Sequence, residues 1–180
     1  MPHNVVLFGP PGAGKSTFAA ALGNAVEADP VAMDLLRETK TKRFGFSASR
    51  AERLFRTGGA PQFHAYASRF DDLLLPELLQ KRKVVIDTSG GSLSHSNVCK
   101  ASPDNLIVLM LPSRRYWRKA FSTRSESGSW LESGGADINE RLFDLALDAS
   151  NSADMVVDME NRVEWRRGQI KCQEYLETIR

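Results

Sequence analysis

Eight residues near the start of the chain, Gly9-Pro10-Pro11-Gly12-Ala13-Gly14-Lys15-Ser16, stand between an apolar run of β-formers, Val5 to Phe8, and the helix formers that run from Lys15 to Leu22. The expected local order is strand, glycine loop, helix. Glycines let such a loop fold into a concave nest with its N–H groups turned inward, and the positive end of the following helix faces the same hollow. In that context the spacing Gly-x-x-x-x-Gly-Lys-Ser is the pattern of a phosphate-binding loop. The Lys15 ammonium can then follow the outer phosphates of a nucleoside triphosphate, and the Ser16 hydroxyl can enter the oxygen shell of Mg²⁺. Thr17 is the next candidate for a phosphate contact.

The same alternation recurs along the chain. Further apolar runs lie at Val31 to Met33, Val84 to Ile86, Leu106 to Leu111 and Met155 to Val157, with helical patterns between them. The longest pattern runs from about Pro61 to Gln80. Phe63, Tyr66, Phe70, Leu73, Leu74 and Leu78 fall near the spacing of one buried face, and Pro76 is expected to kink or restart the helix. Parallel strands need crossover connections, so five such units imply an α/β sandwich of three layers, a mostly parallel sheet with helices on both faces. The stretch Arg162 to Arg180 reads as a closing amphipathic helix. With 180 residues and no repeat or composition break, residues 1–180 are expected to form one domain.

Composition removes several classes. Hydrophobic residues make up 42% and charged residues 26%, which excludes disordered, collagen-like and coiled-coil chains. Lys and Arg number 24 against 22 Asp and Glu, a net charge of +2, so any anion site is local and a long nucleic acid is not an expected partner. Cys99 and Cys172 lie far apart without metal-ligand spacing and are expected as free thiols of a cytoplasmic protein. No apolar stretch approaches the ~20 residues of a membrane span, so no membrane partner is expected. Nothing in the chain specifies an oligomeric state.

A phosphate loop of this kind is completed by an acidic residue at the tip of a neighbouring strand, which holds Mg²⁺ directly or through water. Asp87 ends the run Val84-Val85-Ile86 and precedes Thr88-Ser89-Gly90-Gly91, a second small-residue loop able to bring backbone N–H groups to a ligand. Its alternative role is a helix cap. Asp34, after Val31-Ala32-Met33, has the same kind of position and is either a base for an acceptor hydroxyl or the cap of a helix from Leu35. Between Phe121 and Asn139 the sequence turns polar and glycine-rich around Trp130, which reads as a surface loop and candidate lid.

Gly9 to Thr17, the strand-end Asp34, Gly59 to Phe63 leading into a long helix, the Asp87-to-Gly91 loop and the basic stretch Ser113-Arg114-Arg115-Tyr116-Trp117-Arg118-Lys119 together resemble the P-loop kinases of small metabolites. The nearest likeness is to shikimate-kinase-like and nucleoside-monophosphate-kinase-like enzymes. The resemblance implies a P-loop NTPase fold with a five-stranded parallel sheet in the order 2-3-1-4-5 and a lid loop. It implies Mg-ATP on the phosphate loop, Gly9, Pro10, Pro11, Gly12, Ala13, Gly14, Lys15, Ser16 and Thr17, with Arg118 and Lys119 also facing the nucleotide. Lys15, Asp34, Asp87 and the lid cation Arg124 become the catalytic set, Ser16 and Asp87 the metal ligands. Asp34, His64, Ser89, Gly90 and Gly91 form the expected acceptor side.

That acceptor side departs from the shikimate-kinase pattern. One Asp34 stands where those enzymes have Asp-x-Asp, Phe63-His64 where they have Phe-Arg, and Ser89-Gly90-Gly91 where they have three glycines. No arginine near the fifth strand corresponds to their carboxylate-binding one. The expected function is transfer of the γ-phosphoryl group of ATP to a small hydroxyl-bearing metabolite, with shikimate itself disfavoured. One alternative is a nucleoside-monophosphate or nucleic-acid 5′-end kinase, for which Arg50, Arg53, Arg56 and Arg69 are available. The other is an ATP-binding switch or interaction module with slow hydrolysis; the lack of an Asn-Lys-x-Asp element disfavours a guanine-nucleotide switch.

Overall fold

Apolar runs that do not alternate with polar residues suit strands covered on both faces, and the three central strands are of that kind. A computed structural model describes residues 3–28, 30–41, 44–92, 95–101, 104–125 and 135–178; within them the side chains at 38, 60, 61, 64, 95, 96, 99, 121–125 and 135–139 lie outside the description. The strands are β1 (Val5–Phe8), β2 (Val31–Ala32), β3 (Val85–Asp87), β4 (Leu106–Met110) and β5 (Met155–Val157). The helices are α1 (Lys15–Val26), α2 (Met33–Lys40), α3 (Ala48–Leu79), α4 (His95–Ala101), α5 (Arg114–Ser125), α6 (Gly135–Ala149) and α7 (Arg162–Glu177). All pairings are parallel and the order is β2-β3-β1-β4-β5, as expected.

β1 is the central strand, and its four residues are fully buried. Its side chains alternate between two cores. Val6 and Phe8 join Leu74, Leu78, Ile86, Ile107 and Ala146 on the α3, α4 and α6 side. Val5 and Leu7 join Phe18, Leu22, Val108, Cys172 and Leu176 on the α1 and α7 side. Cys172 is a buried free thiol whose pKa burial pushes up to about 12; the Cys99 side chain lies outside the described residues. Among the described residues, no helix is long and apolar enough to cross a membrane.

Three elements differ from the sequence expectations. α3 begins at Ala48, not near Pro61, where the Ser47 hydroxyl accepts from the Arg50 N–H at 3.2 Å. It breaks direction at Gly59 (φ 68°, ψ −168°), which puts Pro61 in the first turn of the second segment, where a missing N–H is harmless. Pro76 does not restart the helix: α3 runs through it to Leu79 with helical φ/ψ, and the missing N–H costs one hydrogen bond. The buried stripe runs through Ala67, Phe70, Leu74, Leu75 and Leu78, with Leu73 half exposed.

α2 begins at Met33 instead of Leu35, and Ala32 occupies its cap. α5 and α6 run into the expected lid loop from both sides, as far as Ser125 and from Gly135. The α6 turns form there because Leu142, Phe143, Ala146 and Ala149 repeat at helical spacing and are all buried. Residues 126–134, Trp130 among them, lie outside the described residues.

Candidate active site

The phosphate loop leads from the carboxyl end of β1 into α1. Gly12 and Gly14 adopt left-handed φ of 80° and 87°, a region that favours glycine, and Gly14 is the N-cap of the helix. Lys15, first in the helix, is buried, and its Nζ donates to the carbonyls of Gly9 at 2.9 Å and Pro10 at 3.2 Å. Ser16 and Thr17 follow on the exposed side of the first turn. That turn carries no acidic residue, so no carboxylate of its own offsets the positive helix end.

Asp87 is the last residue of β3, in register with Leu7 of β1 and 7% exposed. The Ser16 hydroxyl is near enough to act on its carboxylate. Burial raises the Asp87 pKa above the ordinary carboxylate value; the Ser16 hydrogen bond and the Lys15 charge oppose that rise, and the Asp34 charge adds to it. Asp34 lies in the first turn of α2 and is not its cap. Its side chain is 67% exposed, and Oδ1 accepts from Arg37 Nη2 at 2.9 Å.

The second small-residue loop is pinned from two directions. Thr88 donates its N–H and its hydroxyl to the Leu7 carbonyl at 3.2 and 2.7 Å. A Cβ at Gly90 would lie 2.6 Å from Pro11 Cγ, so the two loops touch and glycine is what permits it. Gly91 belongs to the 3-10 turn Gly90–Ser92.

From the other side, the Ser89 and Ser92 hydroxyls donate to Asp71 Oδ2, the latter at 3.0 Å. Asp71 Oδ1 accepts from Arg37 Nε at 2.9 Å and Nη2 at 2.7 Å. Asp71 is 1% exposed and Arg37 is 6% exposed. Burial is the main cause that raises the Asp71 pKa, with the Arg37 charge the main opposing one.

Sequence reasoning missed Asp71 and Arg37. The signal was present: Asp71 falls inside the apolar stripe of α3 between Phe70 and Leu74, and Arg37 follows Met33 by one turn on the buried face of α2. A charged residue inside an apolar stripe needs a partner.

α5 reaches the same loop through Trp117, another residue without an assigned role in the sequence reading. Its Nε1–H donates to the Pro11 carbonyl at 2.7 Å, and its ring packs on Phe143 of α6. Arg118 donates through Nε to Glu140 at 2.6 Å, and Arg114 bonds Glu140 and Asp144, so these cations tie α5 to α6. Lys119 is exposed beside them. The Met159 side chain, after β5, lies against Gly14. The side chains of His64 and Arg124 lie outside the described residues.

Lys15, Ser16, Asp87, Asp34, Ser89 and Gly90 thus gather at the carboxyl edge of β1, β2 and β3. A phosphate loop feeding α1, an acid at the tip of β3 and a sheet in the order 2-3-1-4-5 define a P-loop phosphotransferase. The sequence matches the shikimate kinase family over residues 11–125, more than half its length, and the chain belongs to that family.

Solved structures agree in fold. The shikimate kinase of Acinetobacter baumannii, determined in complex with shikimate, is similar over 99% of this chain and 96% of its own, with 16% identity and a TM-score of 0.65. That of Aquifex aeolicus is similar over 97% and 96%, with 16% identity and a TM-score of 0.60. A gluconokinase from Sinorhizobium meliloti covers 98% and 97%, with 16% identity and a TM-score of 0.52. No curated protein sequence matches the chain.

Proposed function

We propose that the protein, a small-molecule kinase, transfers the γ-phosphoryl group of ATP to a hydroxyl of a small metabolite, and that the Ser16 hydroxyl and, through water, the Asp87 carboxylate would hold its Mg²⁺. The observation that carries this reading is the buried Asp87 carboxylate at the tip of β3, near enough to the Ser16 hydroxyl and the buried Lys15 to feel both, on a phosphate loop that touches the Ser89-Gly90 turn. A hydroxyl and a carboxylate are the hard oxygen donors Mg²⁺ takes. Bound there, the ion would neutralise charge on the phosphates.

In this reading the nest from Gly9 to Thr17 orients the triphosphate, and the Lys15 ammonium leaves the loop carbonyls for the transferring group. Asp34, exposed and close enough to Asp87 for their charges to interact, takes the proton of the acceptor hydroxyl; Asp87 stays with Ser16. The Ser89-Gly90-Gly91 turn lines the acceptor. Arg124 is assigned as the lid cation and Lys119 as a cation toward the nucleotide, whereas Arg118, bonded to Glu140, braces α5 against α6. Positioning and electrostatics supply most of the acceleration. ATP as donor and a free Cys172 thiol fit a cytoplasmic enzyme.

An acceptor phosphate finds less support than an acceptor hydroxyl. Arg50 lies over the Tyr66 ring at 5.2 Å, and Arg56 pairs with Glu52 on the outer surface of α3. The test is ADP release from Mg-ATP in the presence of shikimate, gluconate, nucleosides and nucleoside monophosphates. One acceptor class is expected to raise turnover, and Asp87→Asn to lose the stimulation. Tight ATP binding with no stimulation by any acceptor would favour the hydrolysing switch.

A further inference from the structure

The phosphate loop has two prolines where an anion nest would draw on backbone N–H groups. Pro10 and Pro11 carry none, so after Gly9 the first backbone donor of the loop is Gly12. One peptide plane sets its direction. The Ala13 N–H donates to the Pro10 carbonyl at 3.2 Å and Gly12 has φ 80°, the form of a type II β-turn with proline second and glycine third. The Pro11–Gly12 peptide at the centre of this turn is trans, so its C=O and N–H point to opposite sides. Glycine also fits the type I turn, in which that plane is turned over and the two groups change places.

On the phosphotransfer reading, we propose that Trp117 is a positioning residue for the nucleotide. By holding the Pro11 carbonyl, its indole N–H fixes the Pro11–Gly12 peptide so that the Gly12 N–H faces the phosphate chain.

Trp117 is 2% exposed, and its Nε1–H donates to the Pro11 oxygen at 2.7 Å, the short end of the range for such a bond. The indole is itself braced. Its ring packs on Phe143 at 5.1 Å, the Arg114 guanidinium lies over the same Phe143 ring at 4.6 Å, and Arg118 Nε donates to Glu140 at 2.6 Å. The Pro11 ring meets the other loop, where a Cβ at Gly90 would lie 2.6 Å from Cγ. Pro11 is therefore held at its ring by a glycine turn and at its carbonyl by one side chain. Without the indole N–H, the native plane points that carbonyl at a buried apolar ring, whereas the flipped plane gives it to water in the hollow. An oxygen then replaces an N–H toward the phosphates and repels them. Trp117 touches no phosphate in this arrangement; it acts through the peptide it holds.

The experiment compares wild type with Trp117→Phe in the full chain. Calorimetric titration gives the Kd for Mg-ATP, ADP release gives kcat, and NMR relaxation dispersion follows the Gly12 amide. In wild type the Gly12 amide is expected in one state, with the Trp117 indole proton protected from solvent exchange. In Trp117→Phe the Kd for Mg-ATP is expected to rise about fivefold, as for a site whose competent form is about one-fifth populated. kcat at saturating Mg-ATP should stay within about twofold, because bound nucleotide selects the competent form. The Gly12 amide should exchange between two states on the μs–ms scale, and saturating Mg-ATP should suppress that exchange.

A raised Kd with Gly12 still in one state would overturn the peptide role of Trp117, and so would an unaltered Kd. Exchange at Gly12 already in wild type would also overturn it, a result that needs no variant to fold. If the Kd and Gly12 results are as expected but no acceptor stimulates ADP release, the phosphotransfer reading falls and the role of Trp117 is upheld. A wild type that binds no Mg-ATP would overturn both.

Discussion

In the proposed function, the nucleotide and acceptor walls of the site are built by different means. The nucleotide wall is backbone: contiguous residues from Gly9 to Thr17, two left-handed glycines, and a helix end whose first turn carries no carboxylate. The acceptor wall is side chain: Asp34 and Arg37 from α2, Asp71 from α3, Asp87 from β3, and Ser89 and Ser92 from the turn after it. A phosphate chain is the same in every nucleotide and can be met by fixed N–H groups. An acceptor has its own pattern of hydroxyls and charge, and only a network gathered from separate elements can be retuned to it without disturbing the loop.

The sharpest break of this comparison is Lys15→Ala. Loss of the ammonium on the nucleotide wall is expected to lower kcat by about 10³-fold or more, the scale of removing a preorganised charge from a transferring group; steady-state ADP release checks it, and near-normal turnover would contradict the assignment. On the acceptor wall the largest effect is on stability. Arg37→Met leaves Asp71 buried and unpaired and should cost about 3–5 kcal/mol in urea unfolding, whereas the double change Arg37→Met with Asp71→Leu should recover most of it. Additive losses in the double variant would show that the pair is not an interacting unit.

Asp87 sharpens the comparison with an opposite sign. Its carboxyl binds a proton more tightly in the folded chain than in the unfolded one. Its contribution to stability is therefore most favourable below the unfolded pKa and falls as pH rises through the raised folded value. At neutral pH the buried charge is a net cost. Asp87→Asn should raise Tm by about 2–4 °C for each kcal/mol regained, while acceptor-stimulated turnover is lost; a lowered Tm would contradict it. The smallest expected effect is at Trp117→Phe, which keeps the ring and deletes the N–H held by the Pro11 carbonyl. Loss of about 1 kcal/mol should raise the KM for ATP about fivefold, read in the same assay.

The difference between the walls also explains what could be read from the sequence. Strand, loop and helix from Val5 to Leu22, the sheet order and Asp87 at a strand tip were legible because each rests on a local pattern or on a resemblance carried by one. Arg37 and Asp71 are 34 residues apart and meet only when α2 and α3 pack. Each violates the apolar stripe of its own helix, which marks it as paired without naming the partner. The loop expected from Phe121 to Asn139 is shorter than read because its glycines and serines masked helical turns that α5 and α6 extend from their buried faces.

The most direct test of the account follows the γ-phosphoryl group itself. Purified protein is incubated with γ-labelled ATP, Mg²⁺ and the acceptor that most stimulates ADP release, and the label is traced. Label is expected on the organic acceptor in step with ADP, and Lys15→Ala is expected to abolish it. Label recovered only as inorganic phosphate, at a rate no acceptor changes, would contradict the account and identify a hydrolysing switch.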